Sequence, residues 1–337
     1  CHLRATPAED PEFSTYSTLT VKTGRPPAAE PRQIPIVLKP YRHENEQFGY
    51  LPDYPVENQV YFDLENRPFV RTGRGVATLR DEEWITTELT SAVTSRDPTL
   101  EGWSFGTASS KIAFDQKNNV YLVATAGGHA ALLCSTDAGK TFSASLIPDG
   151  ASRSRSFDIE QFSGHNVPQG PPPIVRYTRT ASDSRLRWRQ LNDLELFLPE
   201  KTDDGLSLGS PILVSKKCVG LSAHSGIPAT VVSRGTKVHV AWAEATDPEI
   251  KVPGVPTYVA TYDRQTKSLG EPALVGYGAP PNDVHNSPSI TIDSRGYLHV
   301  LAGTHGQPFQ YARSLKPNDA HSGWTEAVPV GEGLRQT

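Results

Sequence analysis

The sequence predicts an all-β chain, a β-propeller of four-stranded blades, and three observations carry that expectation. A strand-turn-strand unit recurs along the chain. Its turns are spaced by roughly the length of one blade. The composition, with 29 Pro, 27 Gly and 21% charged residues in 337, leaves little room for long amphipathic helices.

The first unit runs from Val60-Tyr-Phe-Asp63 to Arg67-Pro-Phe-Val-Arg71, and the second from Ile112-Ala-Phe-Asp115 to Val120-Tyr-Leu-Val-Ala124. A third reads as Ile174-Val-Arg-Tyr-Thr178 followed by Leu186-Arg-Trp-Arg-Gln190, and a fourth as Ala229-Thr-Val-Val-Ser233 followed by Lys237-Val-His-Val-Ala-Trp242. The fifth is the clearest. Ser289-Ile-Thr-Ile-Asp293, the turn Ser-Arg-Gly and Tyr297-Leu-His-Val-Leu301 form an apolar run, a glycine-bearing turn and a second apolar run, the pattern of a β-hairpin. The turn-opening positions Asp63, Asp115, Asp183, Ser233 and Asp293 differ by 52, 68, 50 and 60. Solenoid repeats are normally shorter. Residues 1–40, with the Pro- and Ala-rich stretch Arg25-Pro-Pro-Ala-Ala-Glu-Pro31, read as an N-terminal extension or spacer, and residues 41–337 as one propeller domain.

Between the second and third units, Ser135-Thr-Asp137-Ala-Gly139-Lys-Thr141-Phe142 fits the Asp-box pattern Ser-x-Asp-x-Gly-x-Thr-Phe. In such a turn the Ser and Asp side chains accept backbone N–H groups, Gly supplies a positive φ and the aromatic ring packs beneath. Its role is structural.

Whole-chain charge and the cysteines exclude more than they assign. A formal net charge of -4, with no basic patch interleaved with aromatics, gives no expectation of nucleic acid. No apolar run reaches 18 residues, so no transmembrane segment is expected. Cys134 and Cys218 stand alone, without the CxxC spacing of a zinc site, and read as buried free thiols. Cys1 is compatible with the lipid-anchored start of a bacterial lipoprotein. No ligand cluster demands a metal, although the fold leaves room for a structural calcium or zinc ion.

On the Asp box the chain resembles the bacterial neuraminidase repeat proteins, whose Asp-box turns sit on the rim of β-propellers. On residues 285–314 it resembles the propeller-type polysaccharide lyases, including ulvan lyases and rhamnose-glucuronate lyases: His285-Asn286-Ser-Pro288, then Asp293-Ser-Arg-Gly296-Tyr297-Leu-His299-Val300, then His305, which is 20 residues after His285. Asn58-Gln-Val-Tyr-Phe-Asp63 and Asn66-Arg-Pro-Phe-Val-Arg71 extend the likeness, so that it spans most of residues 40–315. The resemblance implies seven blades, a secreted, periplasmic or outer-surface location in a bacterium, and an anionic polysaccharide as partner. Such lyases also use a tyrosine and an arginine in a later blade. No segment after His305 matches that pair, which predicts a C-terminally truncated propeller.

The implied reaction is cleavage of a 4-linked uronic acid by β-elimination, which needs no redox cofactor. A base removes the C5 proton, a positive or hydrogen-bonding group neutralises the carboxylate, and an acid protonates the leaving oxygen. Histidine serves any of these roles according to its protonation. On that reading His285 and His305 bracket the uronate and Asn286 donates to its carboxylate. Tyr311 acts as an acid or stacks on a sugar, and Arg313, on the same strand face two residues on, holds an anionic group. Interblade burial of Tyr311 and Arg313 accounts for them equally well. His224 and His165, each in a loop thought to precede a repeat strand, are further substrate-binding candidates.

His239 and His299, inside strands between apolar neighbours, read as core histidines. The arginines at 176, 179, 185, 187 and 189 read either as a basic hairpin for an acidic glycan or as a charged edge guarding against aggregation. Two other classes compete with the lyase. A sialidase-like glycoside hydrolase fits the Asp box, but Gln33-Ile-Pro35 has glutamine where such enzymes have arginine, and no close carboxylate pair stands out. A non-catalytic glycan-binding or surface propeller would use the histidines for structure alone.

Overall fold

The computed structural model describes residues 2–5, 15–18, 60–148, 155–161, 166–182, 190–202, 205–222, 229–246, 253–279, 284–303 and 307–335. Contacts divide the chain into two units, Cys1–Asn58 and Gln59–Thr337. In the first, β1 (His2–Ala5) pairs antiparallel with β2 (Thr15–Thr18).

Among its described residues the second unit holds five antiparallel sheets of four or five strands, each with the connectivity of a propeller blade, and one two-stranded hairpin. The first sheet is β3 (Val60–Phe62), β4 (Pro68–Arg71), β5 (Gly75–Arg80) and β6 (Glu83–Glu88), and the second is β7 (Phe105–Phe114), β8 (Val120–Ala126), β9 (His129–Ser135) and β10 (Ser143–Ile147). In the third, β11 (Arg155–Ile159), β12 (Ile174–Ser182) and β13 (Gln190–Phe197) are joined by β16 (Ile212–Cys218), after the small hairpin β14 (Glu200–Thr202) and β15 (Gly205–Ser207). The fourth has β17 (Val231–Arg234), β18 (Lys237–Ala243), β19 (Val255–Asp263), β20 (Ser268–Leu269) and β21 (Ala273–Gly278). The fifth has β22 (Ser289–Ile292), β23 (Leu298–Ala302), β24 (Pro308–Lys316), β25 (Asp319–Trp324) and β26 (Val328–Arg335). Among the described residues the helices are α1 (Leu89–Thr94) and two single 3-10 turns, Pro98–Leu100 and Val284–Asn286. None of them is long and apolar enough to cross a membrane.

The sheets stack face to face in chain order, as the period-2 alternation requires. Phe69 and Val76 of the first sheet share a core with Phe114 and Leu122 of the second. Tyr121 and Leu132 of the second meet Ile159 and Phe197 of the third. Tyr177 and Leu194 then pack on Val238 and Trp242, and Val259 and Ala241 on Ile290 and Val300. Each sheet thus buries an apolar face between neighbours instead of around one central core.

The repeated hairpin turn has one physical form. Asp63 Oδ1 accepts the N–H groups of Glu65 and Arg67 at 2.9 and 2.8 Å, Asp115 Oδ1 those of Lys117 and Asn119 at 2.9 and 3.0 Å, and Asp293 Oδ1 that of Tyr297 at 2.8 Å. The residue three after each aspartate takes a positive φ: Asn66 at 61°, Asn118 at 61° and Gly296 at 93°. These are the residue types that tolerate it.

The third sheet corrects the sequence reading. Its first strand is β11, not Ile174–Thr178, so the turn opens at Glu160 and Asp183 is no repeat position. Ile174–Thr178 belongs to the second strand, which pairs onward with Gln190–Phe197; Leu186 to Arg189 lie outside the described residues. The arginine row also divides. Arg176 is buried, its Nε 2.8 Å from Glu195 Oε2 and its guanidinium over the Phe197 ring, whereas Arg179 is exposed and the other three lie outside the described residues.

The Asp box forms between β9 and β10 as its sequence requires. Asp137 Oδ1 accepts Lys140 and Thr141 N–H at 3.0 Å each, Ser135 Oγ accepts Gly139 N–H at 2.8 Å, Gly139 has φ +80°, and Phe142 is fully buried. Burial would raise the Asp137 carboxyl, but these hydrogen bonds outweigh it and hold it below the usual carboxylate range. Cys134 and Cys218 are buried free thiols. His239 is the satisfied core histidine its setting suggested, bonded to Thr261 Oγ1 and Asn318 Oδ1 at 2.9 Å each, with burial pushing it down to about 4.

Candidate functional site

The strand order gives the stack two ends. The turns opened by Asp63, Asp115, Glu160, Ser233 and Asp293 form one end, and they are linked in series. Leu64 N–H donates to Asn118 Oδ1, Gln116 N–H to Pro168 O, Asn166 Nδ2 to Ser233 O, and Arg234 to the carbonyls of Asp293 and Ser294. The segments leading into the first strands and out of the second strands lie at the other end.

That second end carries His285. The residue sits on the 3-10 turn Val284–Asn286 just before β22 and is half-buried. The turn is fixed by close packing. Asn286 is fully buried, and Gly278 and Gly303 face it so closely that a Cβ would fall 2.3 Å from Asn286 Oδ1 or from its carbonyl carbon. Asn286 thus locks the start of β22 to the end of β23, and a fully buried side chain has no surface to offer a substrate. Ser287 Oγ accepts Ser222 N–H at 2.9 Å and donates to Val284 O at 2.7 Å, joining the segment before β17 to that before β22. His224, further along the segment before β17, and His305, between β23 and β24, lie outside the described residues.

His165 also lies outside them, but its neighbours correct the sequence reading. It falls between β11 and β12, in a strand-one to strand-two connection, and Asn166 beside it bonds Ser233 O. That connection belongs to the turn end. His285 precedes a first strand and occupies the opposite end, so the two loops are not equivalent. The misplacement follows from taking Ile174–Thr178 as a first strand.

Tyr311 and Arg313 share one face of β24, as the two-residue period predicts. The register pairs Tyr311 with Leu301 and Arg313 with His299, and this face of the fifth sheet points away from the fourth. Here the structure groups three residues that were not read together. Tyr311 Oη lies 2.8 Å from His299 Nδ1, and His299 Nε2 lies 3.3 Å from Asp293 Oδ2. His299 is therefore not a core histidine among apolar neighbours, and its side chain keeps 23% exposure.

The carboxylate beside Nε2 favours a proton there, which leaves Nδ1 to accept the phenol proton. Burial would raise Asp293, but the Tyr297 N–H and His299 outweigh it and keep the carboxyl ionised. Burial lowers His299 against the pull of Asp293, so the imidazole is neutral near pH 7. Burial raises Tyr311, so it is a phenol with a proton to give. The alternation of β23 carried this signal, since His299 and Asp293 lie on the face opposite Leu298 and Val300. Arg313 and Arg295 both lie over the Tyr297 ring, at 5.0 and 5.5 Å.

No group of three His, Cys, Asp or Glu side chains is placed to hold a metal ion among the described residues.

Residues 237–335 match the model of the BNR repeat-containing family. That stretch runs from β18 to β26. No curated protein matches the chain. Among solved structures, it is similar to an ulvan lyase of a new polysaccharide lyase family bound to -[GlcA(1-4)Rha3S]-, with 11% identity, 82% of this chain and 70% of that one covered, and a TM-score of 0.45. It is similar also to the Trypanosoma rangeli sialidase in complex with sialic acid (11% identity, 80% and 42% covered, TM-score 0.37). A third likeness is to an alpha-L-arabinofuranosidase from Clostridium thermocellum (13% identity, 81% and 92% covered, TM-score 0.35).

Proposed function

We propose that the protein is a carbohydrate-active propeller that cleaves a uronic-acid-containing glycan by β-elimination. The observation that carries this reading is the locked hairpin of the fifth sheet. Ser289 pairs with Leu301, His285 leaves the strand on the 3-10 turn Val284–Asn286, and on this reading His305, two residues past Gly303, completes the pair. The Asn286–Gly303 contact holds the two chains together at the point where they diverge.

Two imidazoles so placed could bracket the uronate, one removing the C5 proton and the other neutralising the carboxylate. The imidazolium formed by taking the C5 proton would return it to the leaving oxygen, and Tyr311, whose hydroxyl is engaged by His299 Nδ1, would stack on a flanking sugar. Arg313 would hold a neighbouring anionic group. A calcium or zinc ion has no part in these steps.

The test is absorbance near 235 nm during incubation of the full chain with a panel of uronic-acid polysaccharides, beside His285→Ala and His305→Ala. Elimination leaves a conjugated 4,5-unsaturated uronate that absorbs there. Each well-placed acid–base group contributes about 100- to 10,000-fold, so either substitution should bring the rise close to baseline while the melting temperature stays within a few degrees. Absence of a rise on every substrate, with binding retained, would replace the lyase by a glycan-binding propeller.

A further inference from the structure

The turn end, opposite His285, holds a cleft of about 850 Å³ lined by residues of several successive sheets, within the range of small-molecule sites. Three cationic side chains line it, Lys201, Arg234 and Arg264, against one exposed carboxylate, Glu200. Lys201 is countered in part by Asp115, whose Oδ2 lies 3.5 Å from its Nζ. The arginines are not. Arg234 bonds the Asp293 and Ser294 carbonyls at 3.0 and 3.1 Å, which fixes its guanidinium without neutralising it. Arg264 is half-buried, its backbone N–H donates to Thr236 O at 2.9 Å, and its guanidinium acts on the buried Glu160 carboxyl through space but makes no ion pair among the described residues.

The remaining wall is aliphatic. Pro168, Pro171 and Pro199 present ring C–H surface, and no aromatic ring lines the cleft among the described residues. Stacking of nucleobases needs such rings, whereas the C–H faces of a pyranose pack against pyrrolidine edges. Two guanidinium groups, that of Arg234 fixed by two carbonyls, suit the planar carboxylate of a sugar acid.

From these observations we infer a second glycan site at the turn end, in which Arg234 and Arg264 bind the carboxylates of an acidic oligosaccharide against the proline wall. The site needs no chemistry from His285, so it stands or falls apart from the proposed elimination. Its role would be to hold a polyanionic chain at the end of the propeller remote from cleavage.

The experiment is calorimetric titration of the full chain carrying His285→Ala, which prevents turnover, with a 4-linked glucuronic acid tetrasaccharide, and cellotetraose as neutral control. Removing one charged hydrogen-bonding partner should weaken binding by about 10- to 100-fold. Arg264→Gln is the primary variant, because its side chain supports no other described contact, and Arg234→Lys is the second. Loss in both, at unchanged melting temperature and with a steep fall in affinity between low and high salt, supports the site. An unchanged number of saccharides bound per chain in both variants, binding of cellotetraose with equal strength, or displacement by millimolar inorganic sulfate as effective as by the saccharide would overturn it.

Discussion

Replacing Glu160 by glutamine tests the electrostatics of the interior where the first strands meet. Glu160 has no exposed surface and accepts Ser233 N–H at 2.6 Å and the Ser233 hydroxyl at 2.5 Å. Burial is the largest influence on it and raises its carboxyl to about 7, against the lowering effect of the Ser233 bonds and of Arg264, and with a small further rise from Asp158. Asp158 is itself paired with Lys111, Nζ to Oδ1 2.7 Å. From the ordinary value of 4.5 to about 7, at 1.36 kcal/mol per unit, the shift corresponds to about 3 kcal/mol. Because the folded state holds this proton more tightly than the unfolded chain, stability from this group is complete below about pH 4.5 and is lost as pH rises through 7. Glutamine keeps an acceptor for Ser233 N–H and never ionises. Urea unfolding of both proteins from pH 4.5 to 8.5 should therefore show the difference in unfolding free energy moving in favour of Glu160→Gln by about 3 kcal/mol across that window. Parallel stability curves would mean that Glu160 titrates alike in the folded and unfolded chains, and the burial argument would be wrong.

Other outcomes follow from single contacts. Lys111→Met strands the Asp158 carboxylate in the interior and should cost about 3 to 5 kcal/mol in urea unfolding, less if Asp158→Asn is added. Asp137→Ala removes the acceptor for two backbone N–H groups and the Thr141 hydroxyl and should destabilise by about 1 to 3 kcal/mol, with the wild-type advantage fading at acid pH as this low-lying carboxyl protonates. Gly303→Ala drives a methyl into the Asn286 backbone; under the proposed function it should reduce eliminative activity more than it lowers the melting temperature.

Where the strands alternate cleanly, the fold was readable from residue types alone: Val120-Tyr-Leu-Val-Ala124 and Ser289-Ile-Thr-Ile form the strands expected of them, and the Asp-x-x-Asn/Gly turns close them. The reading failed at β11, and the reason is physical. Arg155-Ser-Phe-Asp-Ile159 does not look like a buried strand because first strands face one another, and there polar side chains satisfy each other across sheets. Asp158 is fully buried yet meets Lys111 from the second sheet and both Thr230 N–H and Oγ1 from the segment entering the fourth. A pattern search that requires apolar residues passes over such a strand and settles on the next, which moved the third turn from Glu160 to Asp183 and misjudged the setting of Asn166. The candidate site failed differently at His299, whose apolar neighbours in sequence belong to the other face of the sheet. By contrast the alternation on either side of the Asp293 turn corresponds to the pairing of Ser289 with Leu301 that the fold contains. A hairpin turns separation along the chain into adjacency at its open end. The same operation, repeated in five sheets, collects the turn-opening residues Asp63, Asp115, Glu160, Ser233 and Asp293 at one end and sets His285, which precedes a first strand, at the other.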